Sequence, residues 1–186
     1  MDKTEIEAGV KRILKAIGED PQREGLKDTP RRVAEMYEEI FGGISADPRK
    51  ELKVYSTQNQ DEMILVRDVP FYSICEHHLM PFFGVAHVAY IPNNDQITGF
   101  SSLVRVMDTM ARRPQLQERL TTEIADVVME ILQPKGVLVV IEAEHMCLSM
   151  RGVKKPGSVT TTSAMRGVMR REATRAEAFS LIKGHK

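Results

Sequence analysis

"CEHHLMPFFGVAHVAYIP", Cys75 to Pro92, is the stretch on which the reading of this chain turns. Its second half, Gly84 to Pro92, is rich in β-branched and small apolar residues and is closed by Pro92-Asn93-Asn94, which marks a strand. Its first half sets a thiol, a carboxylate and two imidazoles, Cys75, Glu76, His77 and His78, among apolar neighbours. Polar groups in such a setting must find partners or stay in water.

Upstream, "EMILVRDV" (62–69) is a second strand signal. Before it the period is helical. Ile6, Val10, Ile13, Leu14 and Ile17 recur at helical spacing behind a Thr4/Glu7 capping-box pair, with Gly18 as a stop. A second helix runs from Thr29 as cap and Pro30 in the first turn to Gly42-Gly43. "ISADPRKE" (44–51) reads as a linker, which gives an N-terminal helical region over 1–48 and a second domain over 49–186. Downstream, Leu103, Val106, Met107 and Met110 form a helix from Ser101. Pro114 ends it and opens another, with a face of Leu116, Leu120, Ile124, Val127, Val128 and Ile131. "KGVLVVIEAEHMCLSMRG" (135–152) is expected to be one long strand and "SVTTTSAM" (158–165) another, followed by a short helical tail. Helices and strands in this order predict an α+β fold with an antiparallel sheet.

Composition narrows the function. The 186 residues carry 26 Lys+Arg against 26 Asp+Glu, so no global positive field points to nucleic acid. The charged, amphipathic N-terminus is unlike a signal peptide, and no apolar run is long enough to span a bilayer, so a cytoplasmic location is expected. Two distant cysteines make no disulfide framework; free thiols or metal ligands suit them better.

Cys75 and His78 have the short Cys-x-x-His spacing of a metal-binding turn. Cys147 can add a third ligand and leave a fourth tetrahedral position open, the arrangement of a catalytic site. Taken alone, a single Cys-x-x-His favours the plainer reading, in which both cysteines are buried small hydrophobes and the histidines satisfied core groups. If 135–152 is one strand, His145, Cys147, Ser149 and Arg151 share a face, and Cys147 to Arg151 spans roughly 13 Å. Gln117 and Glu118 fall off the apolar stripe of their helix and are free to face a ligand.

Together, "CEHHLMPFFGVAHVAYIP", "RPQLQERLT", "IEAEHMCLSMRGVKKPG" and "TTTSAMRGV" resemble the GTP cyclohydrolase I family over most of the chain. The resemblance implies the tunnelling fold, a four-stranded antiparallel sheet with two helices on one face, preceded here by the N-terminal helical extension. It implies a homo-oligomer, a decamer of two pentamers, with GTP as substrate and Zn²⁺ as cofactor, and neither nucleic acid nor membrane as partner. The implied reaction opens the imidazole ring of GTP, releases formate and recloses the ring as 7,8-dihydroneopterin triphosphate, the first step of tetrahydrofolate and pterin synthesis.

By the same resemblance, Cys75, His78 and Cys147 are the metal ligands. His77 and His145 are the catalytic histidines, and Ser101 serves the later ribose rearrangement. Gln117 and Glu118 read guanine; Arg105 and Arg151 contact the triphosphate; Arg32 reaches a neighbouring subunit's site. One position departs from the family pattern. Gly99-Phe100-Ser101-Ser102 stands where Gly-Leu-Ser-Lys is usual, so Ser102 replaces a phosphate-binding lysine. The expected consequence is weaker phosphate binding, or a related fold member acting on another guanine nucleotide.

Overall fold

The computed structural model describes residues 1–184, and the chain divides into two compact units at Gly42/Gly43. The first unit holds α1 (Lys3–Ala16) and α2 (Thr29–Ile40), which pack on each other. The α1 cap is Asp2, whose carboxylate accepts from the Glu5 N–H, so the capping signal lies two residues upstream of Thr4. Thr29 is the first residue of α2 and not its cap, which is Asp28.

The second unit opens with a 3₁₀ turn, Pro48–Glu51, and continues through β1 (Val54–Ser56), β2 (Ile64–Cys75), β3 (Met80–Ile91) and β4 (Gln96–Thr98). Then come α3 (Phe100–Ala111), β5 (Pro114–Gln115), α4 (Gln117–Leu132) and β6 (Gly136–His145). The chain ends with α5 (Met146–Ser149), β7 (Val159–Gly167) and α6 (Glu172–Lys183).

Four long strands form an antiparallel sheet in the order β2-β3-β6-β7, with two-residue β5 added in parallel at the β2 edge. The architecture is the α+β tunnelling fold. On one face, Leu103, Val106, Met107 and Met110 of α3 and Leu120, Ile124, Val128 and Leu132 of α4 cover Phe82, Ala86, Val88, Val139 and Ile141. On the other, Ala178, Phe179 and Ile182 of α6 cover Ala89, Leu138, Val140 and Met165. Alternation along each strand supplies both faces, because successive side chains point to opposite sides.

Two expectations fail, for the same kind of reason. Pro114 does not open α4; it pairs with Ile74 in β5, and the helix starts at Gln117. The expected long strand over 135–152 ends at His145 and coils into α5. On one side, β3 pairs with β6 only as far as Phe82 opposite His145; on the other, β7 pairs only as far as Val159 opposite Glu144. Beyond that point an extended backbone has no neighbour to bond, and a helical turn satisfies its own polar groups instead.

Gly84 sits opposite Ala143 in the β3–β6 pair, and a Cβ there would lie 1.9 Å from the Glu142 carbonyl oxygen. Gly84→Ala is therefore expected to push the two central strands apart and cost about 2–4 kcal/mol of stability. Thermal or denaturant unfolding measures it, and an unchanged melting temperature would refute the close approach.

Candidate active site

The four polar residues of the opening stretch occupy the tight turn between β2 and β3. Cys75 is the last residue of β2, is 5% exposed and pairs with Met80 across the hairpin. The turn closes through the Leu79 N–H donating to the Cys75 carbonyl at 2.9 Å, with Leu79 at φ 52°. A branched residue in the left-handed region is costly, and such residues cluster where a turn must aim side chains. His77 and His78 project from this turn, exposed, with ring centroids 6.2 Å apart.

Glu76 is turned to a structural task. Its N–H donates to the Gln115 carbonyl, and its carboxylate takes a two-pronged bond from Arg119 of α4, at 2.5 and 3.0 Å. That bond holds the Glu76 carboxyl below the usual carboxylate range. The turn is thus tied to β5 and to the first turn of α4, beside Gln117 and Glu118.

The coil at α5 brings Cys147, the third residue of a group that could hold a metal ion, to the turn. Ligand atoms of Cys75, His78 and Cys147 all lie within 4.8 Å of one another. Burial, and then the neighbouring Cys75 thiol, push the Cys147 thiol above its ordinary value. Ser149 does not line this site as the strand reading expects; its hydroxyl donates to Glu144 at 2.6 Å, and the Gly157 N–H donates to the same oxygen. Arg151 is also closer to the cluster than an extended chain allows, since a helical turn rises only ~1.5 Å per residue. Its guanidinium donates to His78 Nε2 at 2.9 Å.

His145 stands at the junction of β6 and α5. Its ring stacks on buried Phe82, with centroids 4.7 Å apart and planes 1° from parallel. Its Nε2 lies 2.7 Å from Gln117 Oε1. The Gln117 side chain is not free to face a ligand: the residue is 1% exposed, and its Nε2 donates to the carbonyls of Ile141 and Thr160 and to Thr162 Oγ1. Those acceptors fix which end of the amide is nitrogen. Gln117 Oε1 must then accept, so His145 carries its proton on Nε2 and presents Nδ1. Burial lowers the His145 pKa, partly countered by the negative charge of Glu118.

Glu118 is exposed in the first turn of α4. Ser101 is exposed in the first turn of α3, and Arg105 follows one turn on. Arg32 belongs to the other unit, on α2, with its side chain 70% exposed and 4.0 Å from Asp28. No helix among the described residues is long and apolar enough to cross a membrane.

The GTP cyclohydrolase I family model matches residues 6–183. The chain belongs to the GTP cyclohydrolase I family. It is accordingly an enzyme, and its relatives match end to end. The "GTP cyclohydrolase 1" of Carboxydothermus hydrogenoformans is 64% identical, covering 100% of this chain and 96% of the relative. That of Clostridioides difficile is 62% identical, over 98% and 97%. Among solved structures, an archaeosine synthase QueF-Like in the apo form aligns with a TM-score of 0.45 and 18% identity, over 56% of this chain and 93% of that one.

Sequence reasoning missed the tie from Gln117 to His145 and the Glu76–Arg119 bond. Both cross between elements distant in the chain, and no local pattern encodes them. Gln117→Leu is expected to lower stability by about 1–3 kcal/mol, because it removes the buried amide's bonds to the Ile141 and Thr160 carbonyls and to Thr162. In the parent protein, ¹⁵N spectra of labelled histidine should show neutral His145 with its proton on Nε2; a proton on Nδ1 would overturn the assigned amide orientation.

Proposed function

We propose that the chain is a zinc-dependent GTP cyclohydrolase I that converts GTP to formate and 7,8-dihydroneopterin triphosphate at the head of tetrahydrofolate and pterin synthesis. The observation that carries this is the convergence of Cys75, His78 and Cys147, with ligand atoms within 4.8 Å, beside an oriented His145. Two sulfurs and an imidazole nitrogen suit zinc, and three protein ligands fit a catalytic rather than a structural site. The Cys147 thiol, which burial and then the neighbouring Cys75 make harder to ionise, becomes a good ligand when a cation displaces its proton. Cys75, His78 and Cys147 would hold the zinc ion, which would supply Lewis acidity toward solvent near neutral pH.

The chain's own residues do the rest. Glu118 accepts from the ring N–H and exocyclic amine that guanine offers side by side, a pairing adenine lacks. Gln117, which the resemblance assigned to guanine, instead holds His145. His145, with its Nε2–H anchored on Gln117 Oε1 and its ring plane set by Phe82, takes a proton from solvent onto its free Nδ1 and passes that proton to the purine ring nitrogen. His77, exposed on the turn next to His78, is the second proton carrier. Ser101 offers its hydroxyl to the ribose carbons during ring closure. Arg105 and Arg151 bind the triphosphate, for which a planar, permanently charged fork is well shaped. Arg32 extends toward the site of a neighbouring copy.

Residues 49–186 form the catalytic domain in this reading and 1–48 the N-terminal helical region, in a cytoplasmic homodecamer of two pentamers. Self-association is supported by the second sheet face. There Tyr72 is 75% exposed and stacks on Phe83 at 5.9 Å, outside the area that α6 covers.

Incubation with GTP should yield formate and, after oxidation, fluorescent neopterin triphosphate; chelation should abolish both and added zinc restore them. Cys147→Ser should lower bound zinc well below one per chain by elemental analysis. A fully active, metal-free protein would end the proposal. Glu118→Gln should raise KM for GTP by at least about 10²-fold, since it removes the acceptor pair; a near-normal KM would assign guanine reading elsewhere.

A further inference from the structure

Ser102 stands where the family pattern has a cation, and the structure gives it a different task. The residue is 2% exposed, too deep for its hydroxyl to serve a large ligand freely. It sits one helical turn before Arg105 on the same face of α3. Arg105 Nη2 donates to Ser102 Oγ at 3.1 Å, and Arg105 Nε donates to Glu51 Oε2 at 3.0 Å. Glu51 ends the 3₁₀ turn at Pro48–Glu51, which packs against α3. The guanidinium is therefore gripped at two of its nitrogens by groups from two elements, while Nη1 has no hydrogen-bond partner among the described residues.

We propose that Ser102 is a positioning residue for phosphate recognition. Its buried hydroxyl, together with the Glu51 carboxylate, holds the Arg105 guanidinium in one orientation with Nη1 presented to the polyphosphate. This rests on the reading of Arg105 as a phosphate contact. The physical trade is charge for order. A lysine brings an extra positive charge on a flexible stem; a serine brings none but fixes a neighbouring fork, whose planar donors gain most from being held in place. Glu51 reduces the local positive charge, so orientation rather than total charge is what the arrangement supplies. Ser102 acts only through Arg105 and touches no substrate atom.

The test is steady-state kinetics on the zinc-loaded oligomer for the parent, Ser102→Ala, Ser102→Cys, Arg105→Ala and the double variant Ser102→Ala/Arg105→Ala. Competitive inhibition by inorganic tripolyphosphate and by guanosine is measured alongside. Ser102→Ala should raise KM for GTP about 3–10-fold with kcat moving far less, the size expected for the net worth of one ordinary hydrogen bond that acts through a second residue. The tripolyphosphate inhibition constant should rise by the same factor while that of guanosine stays put; a general loosening of the site would raise both. Ser102→Cys keeps the volume with a poor acceptor, so it should behave like the alanine variant and stands in if that variant folds badly. The double variant should be no worse than Arg105→Ala, because linked residues do not add. Unchanged KM in Ser102→Ala and Ser102→Cys, or fully multiplicative effects in the double variant, overturns the proposal. If Arg105→Ala itself leaves KM and tripolyphosphate inhibition unchanged, the phosphate reading of Arg105 falls first and takes the proposal with it.

Discussion

The hydrogen-bond ladder of β6 runs out at His145, and the geometry of the site depends on that. Both neighbouring strands stop pairing there, β3 at Phe82 and β7 at Val159. A backbone left with no ladder must satisfy itself, and it does so by coiling. The coil brings Cys147 back to Cys75 at the end of β2 and Arg151 onto His78. Had the strand continued, Cys147 and Arg151 would have been carried away from the hairpin at ~3.3 Å per residue. The sheet thus positions the thiol by ending, and it positions the imidazole of His145 by being the last paired residue.

Around this point the charges are paired in ways that separate structural from chemical groups. Glu76 is joined to Arg119, and Glu144 is held by Ser149 and the Gly157 N–H. Both carboxyls are lowered by those bonds and stay charged in service of the turn and of α5. Glu118 and His77 carry no such tie and stay exposed. In the crowded Cys-Glu-His-His stretch, then, each polar side chain has a separate assignment. Cys75 and His78 face Cys147, Glu76 faces α4, and His77 remains available to solvent.

Much of this was legible in the residues. The change of period after the linker, the apolar faces of α3 and α4 and the strands around Val66, Val88 and Val139 all come from hydrophobic spacing, which reports burial directly. The ligand trio was legible as chemistry and through family resemblance. What escaped depends on where distant segments meet. The stop at His145 is set by the lengths of β3 and β7, so the alternation of Cys147, Ser149 and Arg151 looked like a strand face that does not exist. Gln117 looked free because it lies off the stripe of α4, yet strands β6 and β7 pass directly over it. Pro114 looked like a helix start because proline favours that position, and the pairing of β5 with β2 prevailed.

The anchoring of Gln117 also bears on its neighbour. The amide stitches the first turn of α4 to the carbonyls of two strands, so the backbone beneath Glu118 is tied directly to the sheet. A carboxylate mounted there forfeits only its own rotamer freedom on capture of a ligand, with no loop to be ordered first. Adjacent residues in one helical turn thus divide into a foundation facing inward and an instrument facing solvent, and the second inherits its aim from the first.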